Sequence, residues 1–419
     1  MKRLCCSTAM ALLSTLAAAT AAEPGYEPLP PQEAAVAAID ERPAVHEALA
    51  MQAAAQSRAR ALGVGPHEFT VGGGWHERRV DGEGDFDEWD AFLTRGVRLP
   101  GKAGIDRSLG EMELETAANN LADARHAEAR QLLKQWFGWL RAETESTRDE
   151  EIAKTLQRTV AMAHRQLELG ETSKMDLELA EAEAAKATAA AARGLVAARQ
   201  ARRALQVAFP ALPVPERPPE APRPVAPDRA LSDWPDLIIE RSHEIRLAEL
   251  AEQRARLSAQ RASKDRWPDP TVGLRILNER DGAEEALGFV VSVPLPGRYR
   301  SALAAESRQE AEAAAARREM KRREILEIAQ QDVADAQAAL AGWPSIESAA
   351  IQAESYLKKA ERAYEIGEIG VAGLLLSVIS AAETIYEERM ARLDAQEALA
   401  RLRIDAHELW APEHEDHDH

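Results

Sequence analysis

The densest set of metal-ligating side chains lies in the last nine residues, Ala411-Pro412-Glu413-His414-Glu415-Asp416-His417-Asp418-His419. Three imidazoles (His414, His417 and His419) stand among four carboxylates, a set suited to divalent ions such as Zn²⁺, Cu²⁺, Ni²⁺ or Co²⁺. Pro412 prevents continuation of a preceding helix. A tail that must be ordered on binding, with no second layer of groups to hold the rings, implies modest affinity. A solvated acidic end without a role fits the same residues. Elsewhere the chemistry is sparse. There is no phosphate loop, no Ser/His/Asp elbow and no pair of histidines at ligand spacing on a helix. His46, His67, His76, His126, His164 and His243 are scattered singly and read as surface or packing residues. Carboxylates alternate with Arg and Lys, as in residues 151–158, which is the pattern of a solvated helix face. No catalytic residue and no cofactor are assigned.

Composition narrows the class. A net charge of −18 argues against nucleic-acid binding. Residues 1–22 read as a secretory signal: Lys2 and Arg3, then an apolar run, then Ala19-Thr20-Ala21. Both cysteines, Cys5 and Cys6, fall inside it, so the mature chain is expected to lack disulfides and thiolate sites. They lie at the start of the signal, whereas a lipid-anchored Cys would follow the apolar run, which argues against lipidation, while two adjacent cysteines leave it open. No later stretch reaches the roughly 18 apolar residues of a membrane helix. An exported chain of this kind is either soluble or crosses a membrane only as β-strands. Aromatics make up only 5% of 419 residues, which favours long helices packed through Ala and Leu.

The elements that must position any site repeat once. Leu99-Pro100-Gly101 and Leu295-Pro296-Gly297 each end an apolar run of period two and begin a long helical stretch, a strand-to-helix junction used twice. Thr70-Val71-Gly72 pairs with Thr271-Val272-Gly273, Asp81-Gly82 with Asp281-Gly282, and Gly170-Glu171 with Gly367-Glu368, all in the same order. Residues 23–209 form the first repeat, with strands at about 69–79 and 87–99. Residues 231–410 form the second, with strands at about 271–279 and 285–295. Between them 210–230 is a Pro-rich, extended, semi-rigid spacer, and 411–419 is the tail. Helices are expected over 32–62, 102–169, 173–208, 231–264, 298–366 and 371–410, with Pro344 kinking or breaking the fifth.

Four strands cannot close a barrel, and open edges are not tolerated in a bilayer. The strands are therefore either a small soluble β domain on a periplasmic coiled coil or part of a barrel pooled between copies. The Leu-Pro-Gly junction with its basic follower (Lys102, Arg298), Trp267-Pro268-Asp269-Pro270, the tip from His164 through Gly170-Glu171 to Leu177 and the tip Tyr364-Glu365-Ile366-Gly367-Glu368 carry a resemblance that favours the second. Together they resemble the TolC family of outer-membrane efflux channels, over nearly the whole mature chain. The Leu-Pro-Gly form is most similar to its heavy-metal, CzcC-like branch. The resemblance implies a mainly α protein with a membrane β-barrel, in which a homotrimer shares twelve strands and a tunnel of long helices. It also implies a passive exit duct in the outer membrane of a Gram-negative bacterium, with a large periplasmic portion. Its tips (Gly170, Glu171, Ser173, Gly367, Glu368) would dock to a periplasmic adaptor and an inner-membrane RND-type transporter.

Asp176 then has two readings. Ser173-x-x-Asp176 fits a capping box, and three copies of Asp176 would also make a ring selecting cations. Acids common after the second tip in the family are missing from residues 370–376, so Leu374 and Leu376 become gate candidates or simple packing residues. A periplasmic adaptor or scaffold without a pore, and the same channel exporting organic compounds or proteins, remain alternatives.

Overall fold

The structure, a computed structural model, describes residues 29–411. The expected leader (1–22) and the tail histidines His414, His417 and His419 lie outside these residues. The first half comprises α1 (Gln32–Asp40), α2 (Pro43–Val64), β1 (Phe69–Val80), β2 (Gly84–Gly96), α3 (Lys102–Glu168) and α4 (Lys174–Ala208). The second opens on a short 3₁₀ turn and comprises α5 (Trp234–Arg241), α6 (His243–Asp265), β3 (Thr271–Glu279), β4 (Glu284–Ser292), α7 (Arg298–Glu365) and α8 (Val371–Asp405). At about 1.5 Å per residue, α3 and α7 each run on the order of 100 Å.

Small side chains explain how such helices pair. Leu177, Ala180, Ala184 and Ala187 recur at three- and four-residue spacing along α4 and meet Ala153, Leu156 and Ala163 of α3. The scarce aromatics are concentrated midway along α3, where Trp136, Phe137 and Trp139 are fully buried. The segment between the halves, expected as a spacer, is docked there. Phe209, Leu212 and Ala221 join that core, and Arg392 of α8 donates to the Ala221 carbonyl at 3.2 Å.

Several boundaries differ from those expected. The first helix is two, because Pro43 takes the first position of α2 and the chain turns at Arg42. The helix expected over 231–264 is likewise divided at Ser242, whose hydroxyl caps α6 by accepting from the Ile245 N–H at 3.2 Å. The break expected at Pro344 does not occur: α7 continues through it. Proline removes one backbone donor, and the neighbouring Trp343 is anchored to α8 by Nε1 donating to Glu388 Oε1 at 3.2 Å. The last helix stops at Asp405, five residues short of Trp410, because His407 adopts a left-handed φ of 57°. Glu408 N–H then bonds the Arg403 carbonyl, closing the helix end.

The four strands form one antiparallel sheet in the order β1-β2-β3-β4, leaving the outer edges of β1 and β4 unpaired. The β2–β3 pair joins the halves, with Leu93 opposite Leu274 and Gly96 opposite Thr271. Both hairpin turns use residues with positive φ, Gly82 in the first and Asp281-Gly282 in the second.

Candidate functional site

The register gathers apolar side chains along the middle of one face of the sheet, interrupted by Arg95 and giving way to Glu77 and Asp87 toward the first hairpin turn. Val71 faces Leu93, which faces Leu274, which faces Phe289; Trp75 faces Trp89, and Ile276 faces Leu287. All of these are exposed, Phe289 to 89% and Val71 to 78%. The opposite face carries the paired charges, set among glycines and Phe92, Leu277 and Val290. Arg275 Nε donates to Asp90 Oδ2 at 3.2 Å, and Glu88, only 3% exposed, pairs with Arg78 at 2.7 Å and His76 at 3.2 Å. Apolar outside and polar inside, alternating residue by residue, is the pattern of a strand between lipid and a lumen. No helix among the described residues is long and apolar enough to cross a membrane.

Below the sheet the first Leu-Pro-Gly junction is locked to the second half of the chain. Gly101 takes a left-handed φ of 84° and caps α3. That turn sends Lys102, 1% exposed, under the sheet, where Nζ donates to Asp269 Oδ1 (2.8 Å) and the Trp267 carbonyl (2.7 Å) and pairs with Asp265 (2.9 Å). Asp269 Oδ1 also accepts from the Leu99 N–H at 2.9 Å, and Oδ2 meets His67 Nε2 at 2.9 Å. Burial pushes the Asp269 carboxyl up, but the bonds from Lys102, Leu99 and His67 outweigh it and hold the group at about 2. At the second junction Leu295 is 86% exposed, and Pro296, Gly297 and Arg298 are exposed too.

At the far end the two helical turns are built alike. Gly170 (φ 77°) and Gly367 (φ 79°) end α3 and α7. In both, the glycine N–H and the next N–H bond back into the helix: Gly170 to Leu167 and Glu171 to Gln166, Gly367 to Tyr364 and Glu368 to Ala363. This is the Schellman arrangement, which needs positive φ at the glycine. Tyr364, Val371, Leu374 and Leu375 share one apolar cluster with Leu177 and Ala180, so both tips sit at the same end. Gly170, Glu171, Ser173, Gly367 and Glu368 are all exposed, beside exposed Leu169, Met175 and Ile366.

The gate candidates separate. Leu374 is 1% exposed inside that cluster, whereas Leu376 is 70% exposed. Asp176 makes the capping box: its N–H donates to Ser173 Oγ at 3.1 Å, and its Oδ2 accepts from Ser173 Oγ at 2.8 Å and from the Ser173 N–H at 3.4 Å. The carboxylate also lies close enough to the buried Tyr364 phenol to add to the rise that burial gives that group. Ser173→Ala should therefore cost about 1 kcal/mol of stability, read as an earlier unfolding midpoint, with cation selectivity in single-channel recordings unchanged. A selectivity change in Asp176→Asn but not in Ser173→Ala would assign the acid a second role in the lumen.

The histidines expected to stand singly do not all do so. His126 of α3, His243 of α6 and His407 after α8 converge, with ring centroids 5.0 Å (His126–His407, stacked) and 4.3 Å (His243–His407, edge-on) apart. Asp405 lies 3.4 Å from His126, and the neighbouring Asp332 carboxyl is pushed up to about 6 by burial and by Asp405, against Arg401. No group of three or more ligating side chains among the described residues is arranged to hold a metal ion. Sequence spacing could not reveal this meeting of two helices and the turn after α8, drawn from both halves.

No protein-family model matches the sequence, and no curated protein does either. Solved structures do. The outer-membrane channel OprN is similar with a TM-score of 0.77 at 15% identity, covering 91% of each chain. CusC, described in the context of folding and transmembrane channel formation, scores 0.71 at 16% identity, covering 90% of this chain and 91% of its own. The outer-membrane protein VceC of Vibrio cholerae scores 0.68 at 18% identity, over 90% and 94%. These neighbours are TolC-family outer-membrane efflux channels. At such identities the likeness establishes that this chain has their fold.

Proposed function

We propose that the chain is one subunit of a trimeric outer-membrane channel, the passive exit duct of a tripartite pump for divalent heavy-metal cations. The observation that carries the channel reading is the four-stranded sheet, with one exposed face apolar through its middle apart from Arg95, an opposite face carrying Arg275, Asp90 and Glu88, and two unpaired edges. A soluble β domain would bury that apolar face; lipid and neighbouring copies account for it and for both edges. Three copies supply twelve strands. The exposed tips around Gly170 and Gly367, with Leu169, Met175 and Ile366 beside them, suit an adaptor joined to an RND-type transporter. The metal assignment is supported by the CzcC-like form of the Leu-Pro-Gly junctions and by the ligating residues of the tail.

The test is extraction of the protein from a bacterial outer membrane, sizing in mild detergent, and conductance in planar bilayers, together with metal tolerance of a deletion strain. A trimer that conducts, and a strain sensitised to Zn²⁺, Co²⁺ or Cu²⁺, are expected. A soluble periplasmic monomer or dimer overturns the channel. A conducting trimer whose loss sensitises cells only to organic compounds overturns the substrate.

A further inference from the structure

Within one chain the two junctions are in opposite states. At the first, Lys102 follows Leu-Pro-Gly, is 1% exposed and is paired with Asp269, two residues before β3. At the second, Arg298 occupies the position of Lys102, about 196 residues further along. Arg298 is exposed and has neither an ion-pair nor a hydrogen-bond partner among the described residues. The match of Thr70-Val71-Gly72 with Thr271-Val272-Gly273 places Glu68 where Asp269 stands, just before β1. Glu68 too is exposed and unpaired among the described residues.

The strands show why. Lys102 and Asp269 meet because β2 and β3 pair side by side, Gly96 opposite Thr271 and Val97 N–H donating to the Pro270 carbonyl at 2.8 Å. Arg298 follows β4 and Glu68 precedes β1, and these are the two strands whose outer edges are open. A second copy that pairs its β1 with this β4, as β3 pairs with β2, brings its Glu68 to Arg298.

We infer that Arg298 and Glu68 form an ion pair between neighbouring copies, the intersubunit counterpart of Lys102–Asp269. This rests on the channel reading and names the contact that closes the ring. The second copy's Glu68 carboxylate would accept from the Leu295 N–H and pair with Arg298, as Asp269 does with Leu99 and Lys102. Carried along the strands from this anchor, the pairing sets Val291 opposite Val71 of the second copy and Leu287 opposite its Trp75. The apolar face then continues across the seam without a change of side, as pairing in a barrel requires.

Charge reversal tests the pair. Arg298→Glu puts an acid at the N-terminus of α7, where the helix dipole favours it, so a loss of assembly in that variant reports the seam rather than the helix. The fraction of protein remaining trimeric on dilution in mild detergent should fall at least about tenfold in Arg298→Glu and in Glu68→Arg. In the doubly reversed chain it should return to within about twofold of the parent. A parent trimer with single variants as stable as itself, or a double variant no better than the singles, overturns the ion pair and leaves the channel standing. A parent chain that is monomeric after extraction overturns both.

Discussion

Lys102→Met should lower the thermal midpoint of the detergent-solubilised protein by about 5 °C or more and change the shape of its acid limb. Methionine fills a similar volume but removes the charge that Asp269, Asp265 and the Trp267 carbonyl share. Removing one member of a buried pair leaves the other charge uncompensated, a loss of about 3–5 kcal/mol, and each kcal/mol shifts a large domain's midpoint by a few degrees at most. The pH dependence is a second signature. Asp269 is held at about 2, below its ordinary 3.8, so its stabilisation is fully present above the ordinary value and is lost as pH falls through about 2. The parent should therefore lose stability steeply from about pH 4 to pH 2, by an amount on the order of 2 kcal/mol from this group. In Lys102→Met that part of the slope should flatten, because Asp269 no longer gains its partner on folding. Scanning calorimetry across this range checks both effects. A variant with the parent's midpoint and acid limb would show that the junction is held by backbone geometry alone.

The junction also marks the limit of what the chain alone discloses. Leu99-Pro100-Gly101 announces itself, because proline and glycine in that order end a strand and open a helix, and the left-handed φ of Gly101 meets that expectation. The strands are legible from period-two alternation, and the tips from Gly170 and Gly367, since each depends on residues adjacent in sequence. The partner of Lys102 is not, because Asp269 lies 167 positions away and is brought close only by the β2–β3 register. The convergence of His126, His243 and His407 is hidden for the same reason: it needs α3, α6 and the end of α8 to meet. Pro344 misleads in the other direction. Its local cost to a helix is real, yet the Trp343–Glu388 bond holds the surrounding turns against α8, and α7 runs on. The second Leu-Pro-Gly is as visible as the first, yet its residues stand exposed where Lys102 is buried.

Phe289→Arg should remove the protein from the outer membrane, whereas Val290→Arg, one residue later, should leave it there. The two side chains project from opposite faces of β4: Phe289 lies opposite Leu274 on the exposed apolar face, and Val290 lies opposite Gly273 on the face that carries Arg275 and Asp90. An arginine on the lipid side of a barrel costs about 2–4 kcal/mol near the midplane, while one facing the lumen meets water. In a trimer the substitution enters three times, so the cost of inserting the whole assembly is a multiple of that figure. Membrane abundance of Phe289→Arg is expected to drop to a small fraction of the parent's, with Val290→Arg within about twofold of it. The comparison isolates the face of the sheet from the chemistry of the substitution, since both variants gain the same charge one residue apart. On a soluble domain the order would reverse: replacing an exposed phenylalanine would be neutral or would improve solubility, and Val290→Arg would be the more disruptive. Quantitative blotting of outer-membrane and soluble fractions distinguishes these outcomes, and equal recovery of both variants in the membrane would show that Phe289 does not face lipid.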